Sequence, residues 1–326
     1  MKEKIDLDCE MYFLNFSLTM NSIYGIVDAK NKFRPYKNRK RFLILNETGK
    51  VTRSLFWQLV SQSKVKLFLE CGANDAQVSR EFLGKNPQGR ALAIEANPKV
   101  FERFKGINVD VSNLTYVNEG ISDKSGELEF YVPKVTDESI SIFGSFQKLP
   151  MYDYYPPRRI KVSSLDEIIH QYHLYEDSVA IWIDVEGQVG KLLAGAKDFL
   201  LSKKCKVIYC EVQDYGHYAD EIKANDIAKI LWSYGFVPVA RDFPTQPFYN
   251  LIFVRAESLI DIHEARTKYV EDLTNIKLPL VVIPDFREGF AKLKNLLLRL
   301  ENRNFQKIVH SVAGFLGSKS SRKRLR

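Results

Sequence analysis

Residues Val65 to Ser79 read Val-Lys-Leu-Phe-Leu-Glu-Cys-Gly-Ala-Asn-Asp-Ala-Gln-Val-Ser, and their order decides the architecture. An apolar run ends in the acid Glu70, Gly72 opens a turn of small residues, and a helix-like stretch follows. Strand, acidic tip, tight loop and helix in that order hold a nucleoside-bearing ligand at the carboxyl end of a central parallel strand. Gly72 lets the backbone come close to such a ligand because it has no Cβ. The Glu70 carboxylate can accept a hydrogen bond from an ammonium group.

The loop separates two kinds of cofactor. A dinucleotide loop reads G-x-G-x-x-G, and its glycines bring a helix start against a pyrophosphate. Here Gly72 is followed by Asn74 and Gln77 at the later positions, and Glu70 would repel a phosphate. The stretch fits better with the E-x-G-x-x-x-G loop of class I methyltransferases, with Ala76 in place of the last glycine. Their donor, S-adenosylmethionine, has no phosphate and carries a sulfonium and an ammonium. The competing reading is a strand–loop–helix turn with no ligand.

Two more apolar runs end in acid. Ala91-Leu92-Ala93-Ile94-Glu95 precedes Asn97-Pro98, where proline suits the first turn of a helix. A carboxylate at the end of the second strand grips ribose hydroxyls, each oxygen accepting from one of them. Val179-Ala180-Ile181-Trp182-Ile183-Asp184-Val185-Glu186-Gly187 carries two acids. Residues two apart on a strand share a face, so Asp184 and Glu186 can enter one cleft. The plainer alternative is a pair of solvated acids at a helix start.

With these pieces in place, the chain resembles the FkbM family of S-adenosylmethionine-dependent methyltransferases. The match runs through Glu70-Cys71-Gly72-Ala73-Asn74, Ile94-Glu95-Ala96-Asn97-Pro98 and Gly120-Ile121-Ser122-Asp123 with Gly126, then Ser164-Leu165-Asp166 and Ile183-Asp184-Val185-Glu186-Gly187. It covers roughly residues 64 to 257. The resemblance implies a cofactor site at Glu70, Gly72, Ala73, Asn74, Glu95, Ala96, Ile121 and Asp184. The family often has another acid where this chain has Val189, and glycine is common where it has Ala76. Alanine is expected to cost little there and to favour the following helix.

The 326 residues allow one large domain with extensions, and hydrophobic and charged fractions of 45% and 27% are those of a globular chain. No apolar run approaches the roughly 18 residues of a membrane span. The amino terminus lacks the form of a secretory leader. Cys9, Cys71, Cys205 and Cys210 show neither metal-ligand spacing nor a disulfide framework. A cytoplasmic setting is the expectation. Basic residues cluster at Lys30–Arg41 and at Lys319–Arg326, and those twelve exceed the net charge of +8. The rest of the chain is therefore net acidic, which argues against nucleic acid as a partner. The basic ends could meet an anionic membrane surface or an acidic glycan, or simply be solvated.

The pattern predicts an irregular, partly helical N-terminal extension over 1–63, a methyltransferase domain over 64–257 and a helical C-terminal extension with a basic tail over 258–326. The domain is expected to be α/β, Rossmann-like, with a mostly parallel seven-stranded sheet ending in an antiparallel hairpin. That hairpin follows because only Asp242 to Pro247 separate strands at 236–241 and 249–255, too few for a crossover. Strands at 127–132 and 159–163 read as a hairpin inserted over the cleft, and one helix is expected over 188–202. An apolar stripe from Ala291 to Leu300 reads as a helix packed on the domain.

Methyl transfer to an alcohol needs in-line positioning and a base. Asp184 is the first candidate base, Glu186 the second and His217 the third, since imidazole is a better base near neutral pH. Oxygens from Asp184, Glu186, Glu211 and Asp214 could instead gather Mg²⁺, but no metal site is assigned. Tyrosines and arginines in Met151–Arg159 suit an acceptor lid, with packing as the alternative. The expected activity is O-methylation of a hydroxyl, on a sugar of a glycan or glycosylated metabolite. The alternative is a non-catalytic cofactor-binding scaffold. A base-amine methyltransferase would carry prolines and an aromatic ring after Asp184, and Val185-Glu186-Gly187 has neither.

Overall fold

In a computed structural model the described residues are 25–27, 33–35 and 39–258 except 177, 215–217 and 243–247, with scattered positions from 261 to 272; side chains are described from Thr48 onward. The stripe from Ala291 to Leu300, the basic tail, Cys9 and, of the Lys30–Arg41 cluster, Lys30, Lys32 and Lys37 lie outside them. No helix of the described residues is long and apolar enough to cross a membrane.

A short antiparallel pair, β1 (Gly25–Val27) and β2 (Phe33–Pro35), precedes α1 (Arg39–Gln62). Where an irregular lead-in was expected, α1 is one helix of 24 residues. Thr48, Thr52, Leu55, Phe56, Leu59 and Val60 are its buried face, spaced three and four apart. Two members of that stripe are threonines, and Gly49 lies between them, so hydropathy alone conceals the period. Thr52 donates its hydroxyl to the Thr48 carbonyl at 2.8 Å, which removes the cost of burying it.

The main sheet uses β3 (Leu67–Cys71), β4 (Arg90–Glu95), β5 (Leu114–Asn118), β9 (Val179–Ile183), β10 (Cys205–Gln213), β11 (Phe236–Arg241) and β12 (Phe248–Arg255). Its order is β11-β12-β10-β9-β3-β4-β5. β12 runs antiparallel to both its neighbours, and the remaining neighbour pairs are parallel. The expected α/β sheet with its terminal antiparallel hairpin is thus present. The chain reverses its winding between β3 and β9, and ligands of open α/β sheets bind outside the strand ends at such a switch point.

The remaining strands, β6 (Gly120–Ser122), β7 (Gly126–Phe130) and β8 (Arg158–Ser164), form a second sheet in the order β6-β8-β7. β7 and β8 pair antiparallel, as the inserted hairpin requires. β6 was not expected, because three residues are too few to show alternation. Helices α2 (Gln77–Lys85), α3 (Pro98–Asn108), α4 (Leu165–Gln171) and α7 (Ala224–Ser233) fall close to the spans 76–84, 98–105, 164–171 and 224–234 that the sequence pattern predicts. The helix expected over 188–202 is two, α5 (Val189–Ala194) and α6 (Lys197–Leu201). Gly195 passes so near β6 that a Cβ there would lie 2.4 Å from the Ser122 carbonyl oxygen. Asp166 then caps α6, accepting from the amides of Asp198 at 3.0 Å and Phe199 at 2.8 Å.

α1 packs on β10 and β12. Phe56, fully buried, meets Phe68, Trp182 and Tyr209 edge-on at centroid distances of 6.3, 5.5 and 5.3 Å. Trp182 stacks on Tyr209 at 3.7 Å. These rings occupy one sheet face just behind the switch point, so α1 supports the floor of the cleft. Phe56→Ala should destabilise the fold by about 3–5 kcal/mol through lost contacts and a cavity. Chemical denaturation measures it, and a loss under about 1 kcal/mol would show that α1 does not hold this face.

Candidate active site

Pleat and register bring the acids together. Glu70 of β3 pairs with Ala93 of β4 and Trp182 of β9, and Trp182 pairs with Tyr209 of β10. These side chains share a face, and the next residues on that face are Glu95, Asp184 and Glu211. Asp184 follows the last residue of β9, and Glu186 lies in the turn beyond it. Asp184, Glu186 and Glu211 each bring a carboxylate oxygen within 4.8 Å of the others.

The loop after β3 has a different reason for its glycine than the one expected. Gly72 has φ +83°, and a Cβ there would fall 1.8 Å from the Asp184 carbonyl oxygen. Close approach of its own backbone, from the turn after β9, requires the glycine. Asp184 N also donates to Cys71 O at 2.9 Å. Asn74 and Ala76 are left-handed as well, at φ 47° and 59°. Asparagine tolerates that region, but for Ala76 it costs roughly 1–2 kcal/mol. Alanine in place of glycine is therefore not cheap here, because the residue precedes the helix instead of starting it. Its buried methyl packs with Ala73 and Ala93, under Leu114 and Tyr116.

Glu95, 8% exposed, ties the two ligand-side loops. One oxygen accepts from Asn74 N at 2.7 Å and the other from Asn97 N at 2.6 Å. Each oxygen keeps a second lone pair. On the outer side, Tyr116 donates to Asn74 O, and Asn108 donates to Asp75 O at 3.1 Å. Ala73 N bonds Ile94 O at 2.9 Å, and Ala96 O accepts from Asn118 at 3.2 Å. Glu70 is occupied differently from the expectation. One of its oxygens accepts from Ser79 N at 2.8 Å and from the Ser79 hydroxyl at 2.5 Å, so it fastens the loop to α2. Ile121 lies in the smaller sheet, paired with Ser163 and buried. His217 lies outside the described residues.

Burial raises every one of these acids. It pushes Glu70 and Glu95 up to about 7. Glu186 rises to about 8, from burial first and then the Asp184 and Glu221 charges. Glu211 rises to about 9, from burial and then the Asp184 charge. Asp184 keeps surface open to the cleft but is hemmed by protein, and lost hydration raises it too. A hydrogen bond with Glu211 opposes that rise, while the Asp184 charge adds to the rise at Glu211.

Sequence reasoning left Glu211 out of the assigned site, although the apolar run 206–210 ending in an acid repeats the signal that marked Glu70, Glu95 and Asp184. It also missed Tyr218, which hydrogen-bonds Glu186 and whose ring lies over Gly187. No local pattern marks that tyrosine.

The donor set suits a cationic nucleoside. None of Glu70, Glu95, Asp184, Glu186 and Glu211 has an ion-pair partner among the described residues. Such crowding is costly unless a cation or protons offset it. Sulfonium and ammonium charges fit that need, and the free lone pairs of Glu95 fit a ribose diol. The trio at Asp184, Glu186 and Glu211 also has the oxygen chemistry to hold a divalent cation.

Comparison with known proteins agrees with this chemistry. The family described as "Methyltransferase FkbM domain" matches residues 70–238. The 2-O-methyltransferase NoeI of Sinorhizobium fredii is 26% identical over 180 residues, which cover 52% of this chain and 73% of that protein. Among solved structures, magnesium protoporphyrin IX methyltransferase of Synechocystis with bound S-adenosylmethionine aligns at TM-score 0.37 and 12% identity, over 77% of this chain and 97% of the other. Fibrillarin of Aeropyrum pernix, with the same cofactor, aligns at TM-score 0.36 and 10% identity, over 62% and 74%.

The raised acids set a sign for stability against pH. Between the ordinary value of 4.5 and about 9 the folded chain holds protons at Glu211 that the unfolded chain has released. Stability must then fall as pH rises through that window. The ligand-free protein should melt at progressively lower temperature from about pH 5 to about pH 9, and Glu211→Gln should flatten the slope. An unchanged slope in that variant, followed by calorimetry, would show that Glu211 carries no such proton.

Proposed function

We propose that this chain, which belongs to the FkbM methyltransferase family, transfers a methyl group to a hydroxyl on a sugar of a glycan or glycosylated metabolite. Family membership makes it an S-adenosylmethionine-dependent methyltransferase. The hydroxyl acceptor is the finer reading. The observation that carries it is the cluster of Asp184, Glu186 and Glu211 at the strand ends, whose carboxylate oxygens lie within 4.8 Å of one another and offer a proton acceptor. A 2-O-methyltransferase among its relatives points the same way.

When bound, S-adenosylmethionine supplies an electrophilic methyl group on a sulfonium centre. Glu95 would hold its ribose hydroxyls, with Asn74 and Asn97 amides fixing the carboxylate. Glu70 acts at one remove, holding the loop that Gly72, Ala73 and Asn74 form. Asp184 takes the acceptor's proton as the hydroxyl becomes nucleophilic. Its raised pKa improves it as a base over an ordinary carboxylate. Glu186 orders Tyr218 beside the same region. Water exclusion falls to the insertion, because Ser145 donates to the Glu186 carbonyl at 2.8 Å and so closes that segment onto the catalytic turn.

Release of S-adenosylhomocysteine over a panel of glycans and glycosides tests the reading. Product on hydroxyl acceptors supports it, and cofactor binding without turnover on any acceptor favours a scaffold. Asp184→Asn should cut turnover by roughly 10²-fold or more while leaving cofactor affinity nearly intact. Normal turnover would move the proton-accepting role to another group. Glu95→Ala should weaken cofactor binding by roughly 1–3 kcal/mol. Unchanged affinity by calorimetry would remove Glu95 from the cofactor site.

A further inference from the structure

The insertion between β7 and β8 contains a second recess, away from the carboxylates and of opposite sign. Its volume is about 490 Å³, within the size range of ligand pockets. Tyr152, Tyr154 and Tyr155 line it together with Lys134 and Lys148. The Lys148 ammonium lies 4.6 Å from the ring centre of Tyr131 and 5.9 Å from that of Tyr154. The Lys134 ammonium lies 5.9 Å from the ring centre of Tyr155. Neither lysine has a carboxylate partner among the described residues. Asp153 is the acid in the lining, and it is engaged through its backbone, whose carbonyl accepts from Lys134 N at 2.8 Å.

The recess is built rather than a chance gap between side chains. Tyr131 and Ser145 exchange backbone hydrogen bonds at 2.8 and 3.0 Å, and Tyr155 N bonds Val132 O at 3.0 Å. The Tyr154 hydroxyl accepts from Leu149 N at 2.6 Å. The segment that forms it is also tied to the turn after β9. Ser145 reaches the Glu186 carbonyl, and Tyr218, which hydrogen-bonds Glu186, feels both Ser145 and Tyr154.

We propose that this recess is an acceptor subsite for an acidic saccharide, in which the tyrosine faces receive a sugar ring and Lys134 and Lys148 receive its anionic substituent. Aromatic faces suit the apolar faces of pyranose rings, and ammonium groups poised over rings lose little freedom when they meet an anion. The acidic cleft could not serve this purpose, because its own carboxylates repel anions. The inference rests on the hydroxyl-acceptor reading above and narrows it to acceptors that carry charge.

Binding is measured separately from turnover, by calorimetry in low salt with S-adenosylhomocysteine present. Trigalacturonate is the carboxylated probe, a heparin-derived disaccharide the sulfated one and cellotriose the neutral one. At least one acidic probe should bind about tenfold or more tightly than cellotriose, with the advantage shrinking as salt rises. Whichever acidic probe binds identifies the substituent as carboxylate or sulfate. The double variant Lys134→Gln, Lys148→Gln should lose the advantage while its affinity for S-adenosylhomocysteine stays the same, which shows that it is folded. Equal binding of neutral and acidic probes, no binding of either acidic probe at millimolar concentration, or an advantage that survives in the double variant overturns the subsite. Methylation of neutral glycans with no acidic preference overturns the subsite and leaves the hydroxyl reading standing. Acidic preference lost in the double variant, with no product on any hydroxyl, does the reverse.

Discussion

Between β3 and β9 the chain passes itself at a distance that only a missing side chain permits. Gly72 meets the Asp184 carbonyl where any Cβ would collide, and the Asp184 amide is tied to Cys71. This contact sets the separation of the two strand ends that bound the cleft. Because it fixes the Asp184 backbone, it also fixes where that carboxylate meets Glu211. The loop of residues 72–76 continues from it with two more left-handed residues, held by Glu95 within and by Tyr116 and Asn108 without. Local strain at Ala76 and Asn74 is tolerated because so many partners determine the loop.

Around that contact gather carboxyl groups that have no ion-pair partner among the described residues. The parallel strands place Glu70, Glu95, Asp184 and Glu211 on one face, and the aromatic floor of Phe56, Trp182 and Tyr209 keeps water from beneath them. Lost hydration raises their pKa values, so the ligand-free site stores protons. A cationic ligand would favour the release of those protons and leave the carboxylates ionised. The insertion presents Lys134 and Lys148 at its recess and joins the site through Ser145. The site is thus assembled from two sheets of different architecture.

Much of this was legible in the amino-acid order. Strands that end in acid announce themselves twice, by an apolar run and by the charge that stops it, and Glu70, Glu95 and Asp184 were found in that way. The short link from 242 to 247 was enough to make β12 antiparallel. What escaped depends on contacts distant in sequence. The period of α1 is carried partly by Thr48 and Thr52, whose burial is paid in hydrogen bonding rather than hydropathy. The break at Gly195 reflects the passage of β6 and the Asp166 cap, neither of which alters the apolar stripe around it. The role of Gly72 was misread because its neighbour is this chain's own backbone. Glu70 was aimed at a ligand when its partner is Ser79, nine residues on.

The stacking of Trp182 on Tyr209 has one more consequence. The indole lies two residues before Asp184, the phenol two residues before Glu211, and Arg53 sits 5.4 Å above the indole ring. An excited indole is sensitive to nearby charge and to ring contact. The protein therefore contains an intrinsic optical probe next to its clustered carboxylates. Changes in the electrical state of the cleft are written into the emission of a residue that never touches the reactants.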